Sequence, residues 1–166
     1  MTSTPDTMDM QVRPARLPGD EPAILAFIQG LQDFELGFEN NRRRDPGFVA
    51  DHWRDAQERC AEKHGVMFIA EQGGNPVGWV FAYEVHGELF IVEAERRHGA
   101  IAEIYVVPSA RGAGHGKALI AACEGWAKER GHTCLTIGVL AKNARAIRAY
   151  EGAGYQPYAL TMRRYL

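Results

Sequence analysis

No run of the sequence approaches the ~18–20 consecutive apolar residues that span a bilayer. Its longest apolar stretches, such as Val66–Ala70 and Ala118–Cys123, have the length of core elements, so no membrane partner is expected. No lysine or arginine precedes Arg13 and no apolar stretch opens the chain, so the N-terminus does not read as a secretory signal. Cysteine is scarce. Cys60, Cys123 and Cys134 are odd in number and lack the paired spacing of metal ligands, so reduced thiols in a soluble, cytoplasmic protein are expected. Charge of one sign is also missing: 19 Lys and Arg against 21 Asp and Glu leave a net charge of −2, where a general nucleic-acid binder would be basic. What remains is an ordinary globular balance, 46% hydrophobic and 24% charged over 166 residues, the length of one domain. Met1–Asp9 is polar and reads as a disordered tail, leaving 10–166 as the folded domain.

Met10–Arg16 is short and partly alternating, and Pro14 suits an edge strand. Gly19-Asp20-Glu21-Pro22 opens a helix, with Asp20 placed to cap it. Behind it Ile24, Leu25, Phe27, Ile28, Leu31 and Phe34 recur at helical spacing. Asn40–Gly47 breaks that helix, and a second is expected over Phe48–Lys63. Val66–Glu71 and Val77–Glu84 flank a glycine-rich turn and read as a hairpin. Leu89–Val92 reads as a short strand or loop, and Arg96-Arg97-His98-Gly99 as a turn. Ala100–Val107 is an almost unbroken apolar run in which Glu103 is the one charge, the pattern of a central strand covered on both faces. A helix from about Gly116 to Arg130 follows, then a strand over Thr133–Val139, a helix over Ala144–Glu151 and an aromatic-rich terminal strand over Tyr155–Leu166. The order β-α-α-β-β-β-α-β-α-β predicts a single mixed-sheet α/β domain.

The strongest local feature is Arg111-Gly112-Ala113-Gly114-His115-Gly116-Lys117, between the apolar strand and the helix after it. Glycines let successive backbone N–H groups converge on a ligand, and the helix N-terminus adds unpaired donors and partial positive charge. With Arg111 and Lys117 as charge partners this makes a phosphate cradle; a merely tight strand-to-helix turn is the plainer alternative. Two familiar phosphate loops do not fit. Arg111 stands where a Walker A loop needs its first glycine, and Ala118 replaces the hydroxyl residue. Gly112, Gly114 and Gly116 alternate, which breaks the dinucleotide fingerprint.

The segment Val106–Leu119 resembles the acetyl-CoA loop of the GCN5-related N-acetyltransferases. That loop reads glutamine or arginine, two residues, glycine, one residue, then glycine or alanine, and Arg111, Gly114 and Gly116 meet it. Asn143-Ala144-Arg145-Ala146-Ile147-Arg148-Ala149-Tyr150-Glu151-Gly152-Ala153-Gly154-Tyr155 is similar to the family's N-x-x-A-x-x-x-Y-x-x-x-G-F/Y segment, and the two occur in the family's order. The resemblance implies an acyl-CoA N-acyltransferase fold over 10–166. It implies acetyl-CoA as cofactor, released as coenzyme A, and transfer of the acetyl group to a primary amine by direct attack. A small-molecule amine, polyamine or amino acid is the favoured acceptor, with a protein N-terminus or lysine as the alternative.

Residue by residue, the resemblance implies that the backbone of Ile104, Tyr105 and Val106 pairs with the pantetheine arm. The amides of Gly112, Ala113, Gly114, His115, Gly116 and Lys117 would hold the pyrophosphate. Asn143 would contact the cofactor arm, beside its simpler role as a helix cap. Tyr150 matches the family tyrosine near the cofactor sulfur, where a phenol serves as general acid to the departing thiolate. Glu103 stands where related enzymes often carry an acid and would take the ammonium proton as general base; anchoring a neighbouring loop is its alternative. Phe34 and Glu35 match a substrate-facing location in polyamine-type relatives.

Glu84, Glu88, Glu93 and Glu95 are further acids that could favour a cationic amine or simply lie at the surface, and Arg42-Arg43-Arg44 reads as a solvated loop. His86, His98 and His115 form no ligand spacing, so no metal is expected. Cys123 and Cys134 fall on core periodicities and are poor nucleophiles. Dimers are common in that family, which admits a homodimer, though no residue here fixes an assembly. A non-catalytic acyl-CoA sensor on the same fold is the competing reading.

Overall fold

A computed structural model describes residues 9–166, so the expected tail at Met1–Asp9 lies, except for its last residue, outside the described residues. Five strands form one sheet in chain order: β1 (Met10–Pro14), β2 (Val66–Gln72), β3 (Asn75–His86), β4 (Arg97–Val106) and β5 (Leu135–Ile137). β1 to β4 run antiparallel, and β5 lies parallel to β4. The sheet is mixed, as the element order predicts.

Two cores sandwich the sheet. On one face, α1 (Glu21–Glu35) and α2 (Phe48–Glu62) bury Ile24, Phe27, Ile28, Trp53 and Ala56 against Ile69, Trp79 and Phe81. A single helical turn, α3 (Glu93–Arg96), leads into β4. On the other face, Leu119, Ile120 and Cys123 of α4 (His115–Glu129) meet Ala70, Val80, Ala82 and Ile101. β3 shows the period of two: Trp79 and Phe81 enter the first core, Val80 and Ala82 the second, and all four are fully buried. α5 (Ala144–Gly152) follows β5, and its Tyr150 joins the second core. Gly30 lets α1 approach β4 closely, since a Cβ there would meet the Tyr105 hydroxyl at 2.5 Å.

Three expectations need correction. Arg97–Gly99 is strand rather than turn, because the chain reverses earlier, over Gly87–Val92 and α3; Leu89–Val92 is accordingly a loop. Asp20 precedes α1 but does not cap it: its carboxylate accepts two hydrogen bonds from Arg13 (2.7 and 2.9 Å) and one from the Arg16 N–H (2.6 Å). The terminal strand Tyr155–Leu166 does not form. Tyr158, Leu160 and Met162 keep a strand's alternation but are exposed by 75–81%. The sheet edge nearest in sequence is the three-residue β5, which offers too short a ladder to hold another strand.

Candidate active site

The site opens where β4 loses a neighbour. β4 stays paired with β3 as far as Val106, opposite Gly78, whereas its pairing with β5 ends at Ile101, opposite Ile137. Beyond Ile101 the second edge of β4 faces no strand, which leaves backbone donors and acceptors for an extended ligand. A cavity of about 540 Å³ occupies the gap, walled by Ala102–Val106, by Ile137–Leu140 and by one side of α5.

A bulge accompanies the divergence. Phe81 lies opposite Glu103 and Ala82 opposite Ile101, so Ala102 is one extra residue in β4. Ile101 packs in the α4 core and Ala102 in the α1–α2 core. Strict alternation would return Glu103 to the α4 side. The extra residue turns it to α2 instead, where its Oε1 lies 2.6 Å from His52 Nε2 and 4.0 Å from Arg59 Nη2. The Glu103 side chain is 10% exposed and lines the cavity. Its hydrogen bond raises the His52 pKa above the ordinary imidazole value, against the opposing effect of burial.

The glycine loop presents an open face. Gly114, the residue before α4, has φ of +95° and Gly112 +84°, left-handed conformations that side-chain-bearing residues rarely adopt. No atom lies within 4 Å of a Cβ built on Gly112, Gly114 or Gly116. Among the described residues, the amides of Gly112 to Lys117 meet no backbone acceptor, an arrangement suited to an anionic group. Lys117 is exposed beside them. Arg111 turns away from these amides: its Nε donates to the Val106 carbonyl at 2.9 Å, and its guanidinium lies 5.0 Å from the Phe34 ring and 5.5 Å from that of Tyr105. His115 is 2% exposed, and neither ring nitrogen has a partner among the described residues.

Tyr150 faces the cavity from α5. Burial, reinforced by the negative charge of Glu35, pushes its pKa up to about 12. Glu35 at the end of α1 accepts a hydrogen bond from Arg42 Nε at 2.6 Å, and Phe34 meets Phe38 edge-on at 5.2 Å. Asn143 does cap α5, its Oδ1 accepting from the Ala146 N–H at 3.1 Å, while also lining the cavity.

Of the sequence-derived site residues only Ala113 does not line this cavity. Glu84, Glu88, Glu93 and Glu95 do not reach it. Glu84 is buried beneath Arg97 and Arg130, and Glu93 pairs with Arg96. The arginine run is a loop with Arg43 and Arg44 exposed, as expected; Arg42 is half-buried against Glu35, and Arg43 pairs at the surface with Asp45 and Asp51. Burial raises all three thiol pKa values, that of Cys123 to about 12. Among the described residues no cluster suits a metal ion, and no helix is long and apolar enough to cross a membrane.

His52 is the residue that sequence reading missed. Its partner is 51 positions away. The one available signal was its place on the same helix face as Val49 and Ala56, a titratable group on the stripe that faces the sheet.

The chain belongs to the Acetyltransferase (GNAT) family, whose model matches residues 29–155. Among curated proteins it is 36% identical over 159 residues to a mycothiol acetyltransferase of Thermobispora bispora, covering 86% of this chain and 51% of that one. It is 30% identical over 98 residues to an uncharacterized N-acetyltransferase of Bacillus subtilis, covering 59% of this chain and 63% of that one. The chain thus spans between half and two thirds of the length of these two relatives. Its fold is shared with a GCN5-related N-acetyltransferase from Ralstonia eutropha (TM-score 0.71, 22% identity, 95% of this chain and 99% of that one). It is shared also with the aminoglycoside acetyltransferase AAC(6')-Iy, solved with the bisubstrate analog CoA-S-monomethyl-acetylneamine (TM-score 0.72, 19% identity, 95% and 99%).

Proposed function

We propose that the chain is an acetyl-CoA-dependent N-acetyltransferase acting on a primary amine by direct attack. One observation carries this reading: the open edge of β4 runs directly into a loop of unpaired amides. An extended arm ending in a diphosphate fits that pair of features. Ile104, Tyr105 and Val106 would pair with the arm, and the amides of Gly112 to Lys117 would hold the diphosphate. Asn143 would meet the arm from α5. When bound, acetyl-CoA supplies the activated thioester.

The chain's own groups serve the amine and the leaving sulfur. A lysine-like ammonium costs roughly 4–5 kcal/mol to deprotonate at neutral pH. The Glu103 carboxylate accepts that proton, directly or through water, freeing the nitrogen lone pair to form the new C–N bond as the C–S bond breaks. Tyr150 faces the departing sulfur as a hydrogen-bond donor. Burial keeps the phenol protonated, so Tyr150 hydrogen-bonds to that sulfur and serves as general acid to it, while the second amine proton passes through solvent to restore the phenol. Phe34 and Glu35 offer an apolar plate and a negative charge to a cationic acceptor. The complexed neighbour, which holds an aminoglycoside-derived analog, supports a small amine.

Release of coenzyme A across a panel of polyamines, amino acids, aminoglycosides and N-terminal peptides, with mass spectrometry of the product, tests the reading. Amine-dependent release supports it; cofactor binding without turnover on any amine identifies an acyl-CoA sensor instead. Cytoplasmic location and a homodimer belong to the same proposal. The exposed Tyr158, Leu160 and Met162 are a surface that a second copy would cover, and sedimentation checks it.

A further inference from the structure

The carboxylate assigned as base does not stand alone. We propose that His52 is a positioning residue for Glu103: it occupies one carboxylate oxygen, leaves the other to the acceptor's proton, and keeps the carboxylate charged in an apolar wall. The proposal rests on the reading of Glu103 as base.

The geometry builds this arrangement in stages. The bulge at Ala102 turns Glu103 out of the α4 core and toward α2. A carboxylate only 10% exposed would be driven toward its neutral form unless a positive or donating group met it. His52 Nε2 meets Oε1 at 2.6 Å, and the imidazole is held by the Phe48 ring at 5.2 Å, so the carboxylate plane is fixed from behind. His52 does not line the cavity, whereas Glu103 does. The histidine therefore meets the cavity through Glu103.

Arg59 is the other cation in reach, and it is a weaker partner. Its Nη2 is 4.0 Å from Oε1 and 2.6 Å from Asp55, and its guanidinium lies over the Phe81 and Tyr83 rings. The charged groups that face the pair are thus Glu103 from β4 and Arg59 and Asp55 from α2. Arg59 opposes protonation of His52, and Asp55 supports it.

A residue that merely stapled α2 to β4 would change stability and nothing in the titration of the base. The test is His52→Gln, which keeps a side-chain N–H donor but not the charge. Carboxyl-carbon NMR of Glu103 should show its midpoint moving up by one pH unit or more. The acid limb of kcat should move with it, so that activity falls about tenfold at pH values below the wild-type midpoint and by less than threefold at pH 9, with the KM for acetyl-CoA unchanged. As a check on the folded protein from the other side, Glu103→Gln should lower the nitrogen-detected titration midpoint of His52. A Glu103 midpoint that stays put in the His52 variant overturns the proposal, and so does an acid limb that fails to follow it. Wild-type protein that turns over no amine overturns the acetyltransferase reading instead, and the NMR titrations then still decide whether His52 governs Glu103.

Discussion

The two walls of the cavity are made of different material. One is backbone: the free edge of β4 and the amides of Gly112 to Lys117, where side chains are small or point elsewhere. The other is side chain: Glu35 held by Arg42, Glu103 held by His52, and Tyr150 raised by burial. On the proposed function, a backbone wall would recognise a shape shared by every acyl-CoA and tolerate changes of charge, but not an added Cβ. A side-chain wall selects one acceptor and controls its proton, and single-atom changes alter it. Substitutions should therefore separate cleanly into those that weaken cofactor binding and those that slow chemistry.

The sharpest separation is expected at Glu103. Glu103→Gln keeps the shape and removes the base, so kcat at neutral pH should fall by about 10²–10³-fold with cofactor affinity unchanged, as single-turnover and binding measurements would show. Equal losses in both would merge the two walls. Tyr150→Phe comes next, with a loss of kcat of about 10–10²-fold, because the hydrogen-bond and proton donor to the leaving sulfur is removed. A phenol near 12 stays protonated across about pH 6–10, so that loss should be the same throughout the range; a loss confined to alkaline pH would contradict it. On the backbone wall, Gly114→Val forces a branched side chain into φ of +95°, strain of roughly 1–2 kcal/mol. Titration with coenzyme A should show about tenfold weaker binding, with kcat at saturation little changed.

The same division decided what could be read from the sequence. The loop is seven consecutive residues whose glycines announce its conformational freedom, and the structure leaves its amides without backbone acceptors among the described residues. That Ala100–Val107 forms a strand was legible from its unbroken apolarity, whereas its free second edge beyond Ile101 was not. That same apolarity hid the bulge, because a run buried on both faces has no alternation for Ala102 to interrupt. His52 showed only its place on the sheet-facing stripe of α2, because its meaning lies in a partner on another element. The terminal segment failed in the opposite way: its alternation reads as strand, but a strand needs an edge, and β5 stops after three residues.

The smallest effects concern how the side-chain wall is anchored, and here two buried ion pairs should respond to pH with opposite sign. Arg13 hydrogen-bonds Asp20 beneath the start of α1 and holds its carboxyl below the ordinary aspartate value. A carboxylate stabilised in the folded state contributes above its unfolded pKa, and the contribution fades as pH falls through that value and then through the folded one. His52 is shifted the other way, so its pairing contributes below the ordinary imidazole value and fades as pH rises through the folded one. Asp20→Asn should therefore cost about 1–3 kcal/mol at neutral pH and approach wild type only once the pH falls below the ordinary aspartate value. His52→Gln should cost less, and converge toward wild type near pH 9. Urea midpoints measured across that range check both, and parallel curves would show that neither pair is what the pH acts upon. The distinction matters for catalysis because the two anchors support different parts of the wall: Asp20 seats the helix that ends in Phe34 and Glu35, and His52 seats the base. Acid below the ordinary aspartate value should loosen the seat of α1, whereas alkali should remove the positive charge of His52 from Glu103 while the α1 anchor stays intact.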